Sequence, residues 1–551
     1  MLALLLLLLV SSSLVTVLGL PSKHVEADYV LSPNWDLHAA PQVRHYDWLL
    51  TESYRAPGGK PRRMLVVNGM APGPLIEANL GDVVEVRVTN EMADVTAIHW
   101  HGQPQRGSNE MDGSFGITDC GIAPGTSFTY RWTVQTTGTY WWHAHAAMQY
   151  SEGLHGPMIL HDRDEGEQRA QYDTDRVLVA SDLYDEPLKH YLHTYETREG
   201  FNGDMGVEPV PDCGLINGRG LCKGVAPTLA ARAVMPLQGR RRHRFRLINA
   251  GALASIRFHL EGHRMTVIEA DGTLVEPRQV DAVDVMVGQR YSVVVELDQA
   301  PGRYKFHADL LDDMFGMENP NLQRDQHILL EYRGGGSHVQ ELTGKVVQTL
   351  DQSDLRPLRA IDPPPSTEQD KLNIHFALTV SGRYRAFLNG SSWENAGWNG
   401  RSTLADMVDS MRHGKQFQPE EFVIEKPRGG VLDLIINNVD ESDHPLHLHG
   451  HDAFLLGSGE GMFRHGESMD LSKPFVNPMR RDVFLVPTYG WAVVRVVLDN
   501  PGIWALHCHV TWHMAIGFMT QLSVLADDVV ARSEIHTDHC SPIRLHLPPP
   551  P

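Results

Sequence analysis

Cysteine is scarce in this chain. Cys120, Cys213, Cys222, Cys508 and Cys540 are all it has in 551 residues. That excludes a disulfide-stapled miniature scaffold, and the odd count asks which thiol stays unpaired and why. Positive charge is in deficit. Lys and Arg number 48 against 68 Asp and Glu, a formal net charge of −20, and the clustered cations of a nucleic-acid binder are missing. Long apolar runs are missing beyond the N-terminus, where no segment approaches the roughly 18 residues of a membrane span. Long helical periodicity is scarce as well, which leaves β-rich architectures.

What is present is a folded globular composition, 42% apolar and 21% charged. The 551 residues exceed what one core supports, so two to four domains are expected. The apolar run Leu2 to Val10, then Ser11 to Ser13 and a second apolar piece, reads as a signal peptide over residues 1–20, with a retained membrane anchor as the alternative. A secreted protein with no membrane partner is expected, and Asn389-Gly390-Ser391 supplies a glycosylation sequon.

One pattern occurs three times. Gly138-Thr-Tyr140-Trp-Trp142-His143-Ala-His145, Gly302-Arg-Tyr304-Lys-Phe306-His307-Ala-Asp309 and Gly502-Ile-Trp504-Ala-Leu506-His507-Cys508-His509 each follow a turn and alternate like strands. Upstream of them lie Ile98-His99-Trp100-His101-Gly102, Phe258-His259-Leu260-Glu261-Gly262 and Leu446-His447-Leu448-His449-Gly450. The copies span 25–165, 166–335 and 366–551, with Gly334 to Gly336 and Pro363 to Pro365 in a linker. Runs such as Val83 to Val88, Tyr291 to Val295 and Ala492 to Val497 complete an all-β reading of Greek-key sandwiches. The middle copy has Glu261 and Asp309 where the outer copies have histidine, so metal chemistry is expected between the first and third.

Ten of the 30 histidines fall in four short motifs. A His-x-His on a strand sends both imidazoles to one face. The pairs His99/His101, His143/His145, His447/His449 and His507/His509 would hold about three metal ions at two or three nitrogens each. One such pair is readily a coincidence; four in a repeat are not. Cys508 with His444 and His513 forms the Cys-plus-two-His set of a blue-copper electron-transfer site. Alternation puts the thiolate on the opposite face from His507 and His509, a short covalent route between two centres.

Together, His99-Trp100-His101-Gly102, Trp142-His143-Ala144-His145, His444-Pro445-Leu446-His447-Leu448-His449 and His507-Cys508-His509-Val510-Thr511-Trp512-His513 resemble the copper motifs of multicopper oxidases, fungal laccases most of all, over nearly the whole mature chain. The resemblance implies three cupredoxin-like domains, the second without copper ligands, and four coppers per chain. The type 1 copper would take His444, Cys508 and His513, the type 2 copper His99 and His447, and the type 3 pair His101, His143, His145, His449, His507 and His509. The family's axial position falls on Phe518, which cannot ligate, implying a trigonal site of raised potential. Asp112 matches a family carboxylate that could relay protons; a turn-capping Asp before Gly113 is the competing reading. Thr511 stands where many relatives carry a second carboxylate. Cys120–Cys540 matches a family disulfide, and Cys213–Cys222 looks like a local one.

The implied activity is one-electron oxidation of a phenol or diphenol at the type 1 site, with Cys508 and His513 carrying the electron and Asp112 assisting, coupled to reduction of O2 to water by a monomer. In laccases the donor meets the exposed edge of the imidazole matching His513, and a nearby carboxylate often takes the proton. The matching loop, Asn249 to Leu253, has none. The alternative is a ferroxidase, which needs carboxylates near the type 1 histidines. Asp182, Asp185 and Glu186 are its candidates, against their reading as a solvated loop. A plain electron carrier would need only the Cys508 site and has no use for eight further paired histidines.

Overall fold

In the computed structural model, described over residues 29–165, 169, 171–226, 234–237, 241–332, 339, 348–395, 397, 400–414 and 416–531, six sheets make three successive β-sandwiches. Two four-stranded sheets form the first; a six- and a five-stranded sheet form each of the others. The pattern is set by alternation. In Val83–Asn90, Val84, Val86 and Val88 are buried while Glu85, Arg87 and Thr89 face outward to varying degrees. The strand Val43–Arg55 runs parallel to Val83–Asn90 and antiparallel to Arg62–Val67. Such a parallel neighbour requires a crossover, which is how the Greek-key topology arises here.

Each sandwich has its own aromatic core. Trp48, Trp100 and Trp142 fill the first, Phe245, Tyr304 and Phe306 the second, and Trp504 and Trp512 the third. The repeated motifs lie on six strands: β1 (Ile98–His101), β2 (Gly138–Ala144), β3 (Ile256–Leu260), β4 (Arg303–Leu310), β5 (His444–Leu448) and β6 (Gly502–Cys508). They pair antiparallel within each copy, β1 with β2, β3 with β4 and β5 with β6. The register is the same every time, setting His99 opposite His143, His259 opposite His307 and His447 opposite His507.

The Cys213–Cys222 disulfide is formed. The expected Cys120–Cys540 link and the leader over residues 1–20 fall outside the described residues. No helix among the described residues is long and apolar enough to cross a membrane.

Candidate metal centre

Local sequence aims the histidines first. Alternation along β1, and continuation past the ends of β2, β5 and β6, turns each His-x-His pair toward the seam between the first and third sandwiches, where all eight rings are buried. The turn behind β1 is fixed by Gly113, whose φ is +76° and where a Cβ would lie 1.7 Å from the Ile98 carbonyl oxygen. That close approach seats Asp112 against the imidazoles.

The rings sort themselves into a pair and two triplets. His99 Nε2 faces His447 Nε2 at 3.4 Å. His101 Nδ1 faces His143 Nε2 at 3.4 Å and His509 Nε2 at 3.3 Å. His507 Nε2 faces His145 Nε2 at 3.3 Å and His449 Nε2 at 3.2 Å. Every group draws on both the first and the third sandwich.

The outer nitrogens determine what fits between them. Nδ1 of His99, His143, His447 and His507 each lies 2.8–3.1 Å from a backbone carbonyl, of Asp112, Ala144, Asp482 and Cys508 respectively. Nδ1 of His449 lies 2.9 Å from Asp112 Oδ2. A carbonyl or carboxylate can only accept, so these rings carry their proton on Nδ1 and their Nε2 lone pairs point at one another. Protons do not bridge them. Burial, then the neighbouring imidazoles, pushes His101, His143, His145, His447, His449 and His509 well below the ordinary histidine range, and burial brings His507 to about 4. Converging neutral lone pairs in a dry pocket fit metal ions, and an all-imidazole set beside a thiolate suits copper.

On the other face of β6, Cys508 Sγ lies 3.4 Å from His513 Nδ1 and 3.8 Å from His444 Nδ1. His513 is presented by the single helical turn α1 (Thr511–Ala515) that follows β6. Burial pushes the Cys508 thiol up, but His513 and His444 outweigh it and leave it at about 7. Burial lowers His513, yet the Cys508 thiolate and the Glu208 carboxylate raise it to about 10. The buried Phe518 ring is centred 5.0 Å from that of His444 and offers no donor atom.

Asp112 stands behind the cluster. Oδ2 accepts from His449 Nδ1 and, at 2.7 Å, from Ser114 Oγ, while Oδ1 lies 3.3 Å from His99 Nδ1. Thr511 joins a chain of hydroxyls, 3.2 Å from Ser151 Oγ and hydrogen-bonded to Tyr150, whose own hydroxyl donates to the His509 carbonyl at 3.0 Å.

Three acidic residues were not anticipated. Glu208 Oε1 accepts from His513 Nε2 at 2.7 Å, Asp440 Oδ2 stands 3.4 Å from His444 Nε2, and Asp482 Oδ1 stands 3.8 Å from His101 Nε2. The carboxylate expected near His513 was sought in Asn249 to Leu253; it comes instead from the Pro-flanked loop holding Glu208. Asp440 was visible, four residues before His444. The proposed ferroxidase acids go elsewhere. Asp182 is buried and accepts the amides of Ala252, Leu253 and Ala254 at 2.7–3.0 Å, Asp185 pairs with Lys60 at 2.6 Å, and Glu186 is exposed. The His513 edge expected to be exposed is not, its side chain being 1% accessible against 8% for Glu208 and 21% for Asp440.

Comparisons with known proteins agree with this geometry. Multicopper oxidase family models match residues 50–165, 174–334 and 393–528. Laccase-1 of Cryptococcus neoformans is 33% identical over 527 residues, covering 90% of this chain and 82% of that protein. The crystal structure of Fet3p, a multicopper oxidase that functions in iron import, superposes with a TM-score of 0.81 at 25% identity, over 90% of this chain and 94% of that one. The laccase from Botrytis aclada gives 0.80 at 28% identity, over 91% and 92%. The chain belongs to the multicopper oxidase family and is a copper-dependent oxidoreductase of cupredoxin fold.

Proposed function

We propose that this oxidase takes single electrons from Fe(II) at the His444–His513 edge and passes them to O2, in a chain that holds four coppers. The observation that carries the reading is the pair of carboxylates, Glu208 and Asp440, set against the outer nitrogens of both imidazoles. Carboxylate oxygens are suitable ligands for a divalent iron ion. A buried imidazole behind them receives the electron by way of the acid rather than by direct contact. His444, Cys508 and His513 would hold the type 1 copper, His99 and His447 the type 2, and the remaining six histidines the type 3 pair. Copper bound there supplies reversible one-electron chemistry at the thiolate and four-electron reduction of O2 to water. The protein's part is to fix the imidazoles, to link the two centres through the covalent run His507–Cys508–His509, and to hold Asp112 and the Thr511 hydroxyl chain where protons are needed. Four Fe(II) become Fe(III) as one O2 takes up four electrons and four protons.

A second reading, phenol or diphenol oxidation as in the laccases among its relatives, is favoured by one specific feature. Glu208 lies among Tyr195, Tyr384 and Phe376, an aromatic wall with a base on it. O2 uptake with Fe(II), a diphenol and ascorbate, compared between wild type and Asp440→Asn, separates the two. A fall of about tenfold or more in kcat/KM for Fe(II), with the diphenol rate retained, is expected. Equal rates with Fe(II) in both proteins would overturn the reading. The Cys213–Cys222 disulfide and the apolar N-terminal run support the further inference that the protein works outside the cell.

A further inference from the structure

Asn-Gly is the dipeptide that loses a side-chain amide most readily, because a glycine without Cβ leaves its backbone nitrogen open to the asparagine Cγ. Four such pairs lie among the described residues, Asn68-Gly69, Asn202-Gly203, Asn217-Gly218 and Asn389-Gly390. In each the asparagine has a φ of +49° to +52° and the glycine one of +75° to +85°, the backbone of a tight hairpin turn.

Three of the four are copies of one another. Asn68 Oδ1 accepts the Leu49 amide at 2.8 Å, and its Nδ2 donates to the Asp47 carbonyl at 2.9 Å. Asn217 holds the Val179 amide and the Val177 carbonyl in the same way, at 2.8 and 3.2 Å. Asn389 holds the Asn373 amide and the Lys371 carbonyl at 2.9 and 2.8 Å. Their backbone amides donate to the carbonyls of Leu49, Val179 and Asn373. Each sandwich thus uses one asparagine to continue the pairing of an early strand, Val43–Arg55, Thr174–Leu183 or Glu368–Leu378. A side chain held at both ends cannot swing its Cγ toward the next nitrogen without breaking both hydrogen bonds.

Asn202 has the same turn without the restraint. The Asp204 amide closes that turn on the Phe201 carbonyl at 3.0 Å. Asn202, Gly203 and Asp204 are exposed, and the space beside Gly203 is open. No hydrogen bond among the described residues holds the Asn202 side chain.

We propose that Asn202 is a site of spontaneous covalent modification, converted to aspartate and isoaspartate while Asn68, Asn217 and Asn389 are protected. The Gly203 nitrogen attacks Asn202 Cγ. The Cγ–Nδ2 bond breaks, and Nδ2 leaves as ammonia with the Gly203 amide proton. Water then opens the cyclic imide at either carbonyl. One opening leaves aspartate; the other routes the backbone through the former side chain and lengthens it by one carbon. Both add a negative charge beside Asp204, in the loop that leads to Glu208.

Copper-loaded full-length protein, held in mildly alkaline buffer and digested for peptide mass analysis, tests this. The Asn202 peptide should gain about 1 Da and split into two isomers. It should do so about tenfold or more faster than the peptides of Asn68, Asn217 and Asn389, which must first lose their hydrogen bonds. In denaturant all four should convert at similar rates, and Asn202→Gln should remove the gain from the native protein. An Asn202 peptide that stays unchanged while the denatured control converts, or equal native rates at all four sites, would overturn the proposal.

Discussion

At the scale of single residues, the centre depends on groups that never touch a donor. Asp112 holds His449 and faces His99, so it sets where two imidazoles point. Asp112→Asn should slow reoxidation by O2 about ten- to a hundredfold, while lowering copper content far less. Stopped-flow reoxidation beside metal analysis checks this; unchanged reoxidation would remove the role. On the proposed type 1 assignment, the buried Phe518 ring beside His444 would stand where an axial donor could. Phe518→Met should lower the type 1 potential in a redox titration, since a thioether would then stand near the copper. The buried histidine pairs were legible because two-residue spacing on a strand is a local rule. Glu208, Asp440 and Asp482 reach the imidazoles through tertiary structure, and only Asp440 left a mark in local spacing. Composition gave no sign that Asp182 would be buried to hold the amides of Ala252 to Ala254.

At the scale of elements, strand alternation and the three-fold repeat made the sandwiches readable, and the paired registers follow from the repeat. Turns matter as much as strands. Gly113 lets the segment behind β1 approach the Ile98 carbonyl. Gly113→Ala combines left-handed strain with a backbone clash and should cost about 3 kcal/mol or more, with loss of copper. Gly107 has a comparable φ, +84°, but open space around it. Gly107→Ala should cost only about 1–2 kcal/mol and keep its copper. Thermal unfolding and metal content of both variants make the comparison; equal losses would show that the turn does not seat the ligands. The middle copy shows the limit of motif reading. Replacing histidine by Glu261 and Asp309 looked like decay, yet the retained register pairs His259 with Asp309 and His307 with Glu261 by hydrogen bonds.

At the scale of the whole molecule, buried ion pairs tie the three sandwiches. Arg290, on the middle sandwich, grips Asp482 of the third with contacts of 2.6 and 2.8 Å. Arg481 reaches back to Asp271 at 2.7 Å. Arg290→Met would leave Asp482 as an unpaired buried charge, at about 3–5 kcal/mol. Against the first sandwich, Glu269 accepts from the Thr139 amide at 2.5 Å and hydrogen-bonds Arg244, while Glu165 lies 3.2 Å from Arg244. Burial opposes ionisation of Glu269 and Glu165. Arg244 and Arg246 overcome it at Glu269, and His161, followed by Arg246 and Arg244, overcomes it at Glu165, so both stay below the usual carboxylate range. Depressed carboxylates stabilise the fold fully above their unfolded value, about 4.3, and that stability is lost as pH falls through the folded value. The melting temperature should therefore drop on acidification below that value, and Glu269→Gln should flatten the drop. A parallel pH profile in the variant would assign acid sensitivity elsewhere.

The copper pocket is divided between residues near 100–145 and residues near 445–510, with every cluster of nitrogens shared across that gap. A ribosome that has delivered the first two sandwiches has made part of each binding group and none entire. Metal uptake is thus a report that translation has finished and the ends have met, and a cell that sorts loaded from unloaded chains is sorting complete molecules from fragments.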